Sequence, residues 1–179
     1  MSRITSIKGL PLLLLPLLLS GCGLTQKISE GASSAMNSVF HKQVKTLRLD
    51  FTAREALNID ERESGSLSEP VMIRVYQLRD PKTFDKAVYE QLINGDEETL
   101  GDSLLASRDV VVKPGGDANL NMPMHEEAQF VAVVGLFRHP DTAKNHWKLL
   151  LTRDDLDPDT ARVIEPGNNS LTLLPVKDN

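Results

Sequence analysis

Two stretches of this chain are apolar on both faces of an extended strand, and they limit the fold more than any other feature. In Val71–Leu78, Val71, Ile73 and Val75 point one way while Met72, Arg74, Tyr76 and Leu78 point the other. Further on, Phe130, Ala132, Val134 and Leu136 alternate with Val131, Val133 and Phe137. A strand of this kind belongs in the middle of a sheet with cover on both sides. Shorter alternating or β-branched runs surround the two. Leu47, Leu49 and Phe51 alternate with Arg48 and Asp50, and further runs lie at 109–113, 120–122, 147–151, 162–164 and 171–174. Gly/Pro clusters punctuate them at Pro114-Gly115-Gly116 and at Pro166-Gly167-Asn168, which reads as a hairpin turn. Seven or eight short strands of this type predict a two-layer β-sandwich.

Between the first two-faced strand and the next run the periodicity changes. Asp80-Pro81 has the residue types of a helix start, and Phe84, Ala87, Val88 and Leu92 follow one helical stripe up to Asn94-Gly95. A second short helix is expected within 96–105. The region 81–105 is therefore a helical insertion in a mainly β domain. Within the strands, Arg74 reads as a side chain that snorkels from the sheet, Tyr76 and Gln77 as core strand, and Trp147 as a core anchor. Residues 54–69 are polar, with Gly65 between serines, and read as a long loop.

The amino terminus reads as an address. Arg3 and Lys8 precede the apolar run Leu10–Leu19, which is broken by Pro11 and Pro16 and followed by Ser20-Gly21-Cys22. Ten apolar residues are too few to cross a hydrocarbon core of ~30 Å as a helix. A basic segment, a short apolar segment and small residues before a cut describe an export signal over residues 1–21. Leu19-Ser20-Gly21-Cys22 resembles the lipobox of bacterial lipoproteins. A thiol is the nucleophile needed to accept a diacylglyceryl group as a thioether. The resemblance implies acylation of Cys22 after cleavage, and two or more chains hold a protein stably on a membrane. Gly23 in the next position resembles an outer-membrane sorting signal. Residues 22–42 then read as the acylated terminus and a flexible tether, which at about 20 residues would span roughly 25 Å root-mean-square. The sandwich domain is expected over 43–179.

Composition excludes several function classes. The chain has 179 residues, 40% of them hydrophobic, enough to fill one core. Its net charge is −5, and −7 once residues 1–21 are set aside. No basic face suited to phosphate is visible, which argues against nucleic acid as a partner. One cysteine forbids an internal disulfide and any Cys-based zinc cluster. His41, His125, His139 and His146 lack metal spacing. Asp155, Asp157 and Asp159 begin like a calcium loop, but Thr160 stands where glycine is needed and Pro166 where glutamate is needed, so an acidic turn is the better reading. No nucleophile elbow, zinc helix or phosphate loop is present. The chain is read as a protein without catalysis, cofactor, metal or small-molecule substrate.

The same residues resemble a known family. Leu57-Asn58-Ile59-Asp60 is followed by the stretch from Pro70 to Asp80. Then come Phe84, Ala87, Tyr89 and Leu92, Leu104-Leu105-Ala106, Lys113-Pro114-Gly115, and the stretch from Val133 to Arg138. Together with the lipobox these are similar to the TssJ/VasD/Lip family, the outer-membrane lipoproteins of type VI secretion. The most specific piece is Ile73-Arg74-Val75-Tyr76-Gln77-Leu78; Ile59 departs from the proline frequent in the family. The resemblance implies a transthyretin-like β-sandwich with a short helical insertion. It implies a lipid-anchored protein on the periplasmic face of the outer membrane, tethering the periplasmic C-terminal region of TssM. TssL would be an indirect partner in the same membrane complex.

The loop between the first two strands is the implied partner contact, with Leu57, Asn58, Ile59, Asp60, Glu61 and Glu63 as its residues. If Leu57 and Ile59 are exposed they supply apolar anchors, and otherwise they plug the end of the sandwich. The acids would steer a basic partner. Two alternatives belong to other classes: a pilotin-type lipoprotein escorting a secretin, and a periplasmic small-ligand binder, which would need a concave polar pocket. Replacement of the acylated residue, Cys22→Ser, is expected to leave an uncleaved precursor. Unchanged processing and membrane fractionation on an immunoblot would contradict that expectation.

Overall fold

The computed structural model describes residues 43–60 and 67–176. The predicted signal sequence over 1–21, Cys22, Gly23, the tether expected over 22–42, and Glu61 and Glu63 lie outside the described residues. Eight strands are present among those described: β1 (Thr46–Thr52), β2 (Val71–Leu78), β3 (Leu104–Val112), β4 (Asp117–Pro123), β5 (Phe130–Leu136), β6 (Lys148–Thr152), β7 (Arg162–Gly167) and β8 (Ser170–Leu173). They form two four-stranded sheets, ordered β4-β1-β7-β8 and β3-β2-β5-β6. β1 and β7 run parallel; the other ladders are antiparallel.

The two strands that read as apolar on both faces are the two inner strands of the second sheet. Val71, Ile73 and Val75 of β2, with Val131 and Val133 of β5, face the first sheet and are buried. They meet Leu47, Leu49 and Phe51 of β1, Leu120 and Met122 of β4, and Ile164 of β7 in one continuous core. On the other side of the same strands Tyr76, Leu78, Ala132 and Val134 are buried as well. Their cover is the helical insertion, which contributes Phe84, Tyr89, Leu92 and Leu100 to the core. Gln77 has no exposed surface and joins the sheets: its Nε2 donates to the carbonyl of Pro123 at 2.9 Å and its Oε1 accepts from the backbone N–H of His125 at 2.7 Å. Removing one partner of such a buried pair costs about 1–3 kcal/mol.

The insertion departs from the expected stripe. It consists of α1 (Lys82–Lys86), α2 (Tyr89–Asn94), α3 (Asp96–Leu100) and a 3-10 turn over Gly101–Ser103. The Asp80 carboxylate accepts the N–H of Lys82 at 2.9 Å, as a residue in capping position should. Helix then stops at Ala87 and Val88, both extended, and Val88 is 55% exposed instead of lying in the stripe. The reason is a cation from another element. Lys148 of β6 donates to the carbonyls of Phe84, Asp85 and Ala87 at 3.1, 3.0 and 3.1 Å, satisfying the groups that a longer helix would have used. Its Nζ lies 5.1 Å from the ring centroids of Phe84 and of the buried Trp147. The expected second helix is also shorter, because Leu104 and Leu105 already belong to β3. Pro166 and Gly167 are the last residues of β7, so the hairpin turn is Asn168-Asn169, one step later than expected.

Arg74 does not snorkel. Its Nε and Nη2 grip both oxygens of Asp109 at 2.8 and 3.1 Å, and its Nη1 reaches Asp96 at 3.1 Å. Tyr76 donates to the same Asp96 oxygen at 3.0 Å, so α3 is tied to β2 through one carboxylate. The Tyr89 hydroxyl donates to the carbonyl of Phe137, and its ring meets Trp147 edge-on at 5.1 Å. Burial, and for Tyr76 the hydrogen bond to Asp96, raises the pKa of both phenols. Tyr89 is pushed up to about 12. A raised folded-state value means that stability is intact below the ordinary phenol range near 10 and is lost as pH rises toward 12. These are the only two tyrosines in the chain. Phenolate absorbance should therefore rise with alkaline unfolding and not before it; titration of either tyrosine in protein still folded by circular dichroism would contradict this burial.

Candidate partner-binding end of the sandwich

β1 carries the chain from one end of the sandwich, here the proximal end, to the other, the distal end. The distal end is built by the loop after β1, the 113–116 turn, the connection from β5 to β6 and the Asn168-Asn169 hairpin. Gly115 makes the 113–116 turn possible. Its φ is +63°, and a Cβ there would stand 2.4 Å from the Glu55 carboxylate.

Within the first loop the predicted residues divide into two kinds. Leu57 is fully buried and pairs with Asn168 as a parallel bridge. Its carbonyl accepts the N–H of Glu69 at 3.0 Å and its N–H donates to Ser68 Oγ at 3.3 Å. Of the two roles left open for it, plugging the sandwich end describes its position. Asn58 is buried too, with φ +50°. Asparagine tolerates that left-handed backbone, and its amide is used on both sides. Nδ2 donates to the carbonyl of Pro70 at 3.1 Å, and Oδ1 accepts the N–H of Arg138 at 2.8 Å. The backbone N–H of Asn58 donates to the carbonyl of Asn168 at 2.5 Å, and the N–H of Asn168 donates to Ala56 at 2.6 Å. One residue thus joins the first loop, the start of β2, the segment after β5 and the last hairpin.

Ile59 and Asp60 are half-buried and remain partly accessible. The Ile59 carbonyl accepts from Asn169 Nδ2 at 2.9 Å. Asp60 lies 3.1 Å from His139 Nε2, and Glu69 lies 3.2 Å from Arg138 Nη1. Sequence reasoning missed Arg138, His139, Asn168 and Asn169 as members of this end. No local signal marks them, since they arrive from 70 or more residues away and only the sheet topology brings them here. Reading Asn168 as a turn residue was the nearest approach.

Other expectations find simple places. His125 Nδ1 accepts the N–H of Glu127 at 3.2 Å, in the polar lead-in to β5. Asp155 caps the 3-10 turn Arg153–Asp155 through Thr152, and Asp157 accepts the N–H groups of Asp159 and Thr160 at 2.7 Å each, as in an acidic turn. Among the described residues no cluster of three or more His, Cys, Asp or Glu could hold a metal ion, and no helix is long and apolar enough to cross a membrane. A cavity of about 300 Å³ lies beside α1 and α2, against Tyr89, Trp147 and Lys148.

Residues 45–171 match the family model described as T6SS-SciN, type VI secretion lipoprotein, VasD, EvfM, TssJ. The chain belongs to this family of type VI secretion lipoproteins. Solved structures agree. A chain in the structure described as the T6SS protein TssM C-terminal domain (869-1107) from EAEC is 42% identical, with a TM-score of 0.67 over 74% of this chain and 100% of that one. A chain of a type VI membrane complex is 44% identical, with a TM-score of 0.69 over the same shares. The Serratia marcescens Lip structure, a membrane-bound component of the system, shares the fold at 22% identity and a TM-score of 0.64, over 73% of this chain and 98% of that one. No curated protein sequence matches. The lipoprotein family and the β-sandwich with few helices are therefore as the sequence indicated.

Asn58 makes a direct prediction. Asn58→Ala should lower the stability of this type VI lipoprotein by about 1 kcal/mol or more, because the buried Asn58 amide holds the Pro70 carbonyl and the Arg138 N–H, and both lose their partner. Urea unfolding measures the loss, and a change under a few tenths of a kcal/mol would remove Asn58 from its place as the hub of the distal end.

Proposed function

We propose that this chain is a lipid-anchored tether on the periplasmic face of the outer membrane, holding the periplasmic C-terminal region of TssM. The observation that carries the proposal is the 42% identity to a chain in the structure described by the TssM C-terminal domain. That chain is covered from end to end by 74% of the present 179 residues, whereas 869-1107 spans about 240 positions. The lengths favour a companion of the TssM domain as the matched polypeptide. The 44% match within a type VI membrane complex supports membership in such an assembly, and TssL is the indirect neighbour of this proposal.

Residues 1–21 act as the export signal, Cys22 carries the acyl chains, and Gly23 directs the product to the outer membrane. Residues 22–42 are the tether and 43–179 the sandwich domain. The tether joins the domain beside Thr46 at the proximal end, and β1 then carries the chain about 20 Å toward the distal end. Ile59 and Asp60, half-buried but still partly accessible, meet TssM, and Glu61 and Glu63 follow them in the sequence with further negative charge. Leu57 and Asn58 act beneath them by holding the loop in shape. The role is mechanical and asks for no catalytic group.

Ile59→Lys should weaken binding of the TssM C-terminal region by roughly tenfold or more without shifting the melting temperature. Deleting the whole loop tip is a poorer probe, because Leu57 belongs to the core. Wild-type affinity for Ile59→Lys combined with Asp60→Lys, read by calorimetry, would discard the loop as the contact.

A further inference from the structure

The two ends of the described chain are fastened differently. On the entry side, just ahead of the β1 ladder, Gln43 is exposed and Val44 is buried. Arg153, half-buried in the 3-10 turn that follows β6, donates from Nη2 to the carbonyl of Val44 at 3.0 Å. Its Nη1 lies within hydrogen-bond distance of the carbonyls of His125, Glu126 and Ala128, at 3.2, 3.1 and 2.7 Å. Its backbone N–H donates to the carbonyl of Gln129 at 2.8 Å, and the N–H of Met124 donates to that of Lys45 at 2.9 Å. On the exit side, the N–H of Leu174 donates to the carbonyl of Val163 at 2.9 Å and its own carbonyl accepts from Arg162 at 3.4 Å, while Pro175 and Val176 lie exposed.

The end of a domain frays unless something ties it down. Here one guanidinium ties the entry down, and every acceptor it uses is a backbone carbonyl. Those carbonyls belong to the approach to β1, in the first sheet, and to the connection that takes the chain from β4 to β5. Arg153 itself follows β6 of the second sheet. Tension on Gln43 therefore passes at Val44 into both sheets, instead of into the β1 ladder alone. The task suits arginine. Nη1 and Nη2 project from one rigid plane in two directions, whereas a lysine ammonium is a single point on a flexible stem. We infer that Arg153 is the clasp through which the domain takes load from the chain on its amino-terminal side. This inference deepens the proposed tether and rests on it; Arg153 is a positioning residue that holds the entry in place.

The test pulls on the full chain along two axes. Cys22→Ser removes the one native cysteine, and Lys113→Cys places a thiol at an exposed position of the distal turn. Optical tweezers hold that thiol together with either the amino or the carboxyl terminus. At a fixed load, Arg153→Lys should shorten the folded lifetime about tenfold more on the amino-terminal axis than on the carboxyl-terminal one. A general loss of stability would shorten both alike, so the ratio isolates the clasp. A second measurement needs no variant. In the wild-type chain the amide of Met124, which reports on the Lys45 carbonyl, should exchange its hydrogen as slowly as the slowest amides of β1. Exchange about tenfold faster than those amides would show a frayed entry and overturn the clasp. Equal shortening on both axes, or none, also overturns it and leaves the tether standing. A mature chain recovered from the periplasm unattached to membrane overturns the tether, and with it the load assigned to Arg153.

Discussion

The described domain is arranged around two neighbouring strands that are apolar on both sides. β2 and β5 lie at the centre of the second sheet, with buried side chains on each face. One face can be covered by another sheet and is. The other needs a separate cover, and a sandwich of two sheets has none to offer. The helical insertion between β2 and β3 meets that need. Its helices are five, six and five residues long, too short to be stable alone. They hold their form because Phe84, Tyr89, Leu92 and Leu100 are buried on the sheet.

Polar groups then fix positions that apolar burial leaves loose. Gln77 sets one sheet against the other at the proximal end. Arg74 and Tyr76 hold α3 through the Asp96 carboxylate, and Lys148 ends α1 by taking two of its carbonyls and that of Ala87 just beyond it. Burial lowers the pKa of the Lys148 ammonium, but two aromatic rings and three carbonyls surround it. Asn58 performs the corresponding task at the distal end. In each case one side chain ties its own element to another, so removing it would leave its partners there unpaired.

This division of labour suits a protein whose proposed work is to transmit position. A short sandwich spanned by continuous strands is stiff along the strand direction. The loops at its distal end are held by hydrogen bonds between backbone segments remote in sequence, so a contact made there is borne by the sheets.

The sequence by itself determined the strand pattern, the sandwich class, the family and the position of the helical insertion. Those depend on local alternation and on which side chains are apolar, and both are written along the chain. Arg74 shows where that information ends. Its charge is visible, but whether it snorkels or is clamped depends on Asp109 and Asp96, which come from other elements. The break between α1 and α2 is a second case, since Lys148 lies some 60 residues away from the carbonyls it caps. The candidate site is a third. Leu57 and Ile59 look alike as apolar residues in a polar loop, and only pairing with the Asn168 hairpin buries the first and leaves the second partly exposed. Arg138, His139, Asn168 and Asn169 join them because β5 and β7 both end at the distal edge of their sheets. Long-range juxtaposition of that kind is a property of topology, which pairs segments by backbone hydrogen bonds that carry no record of side-chain identity.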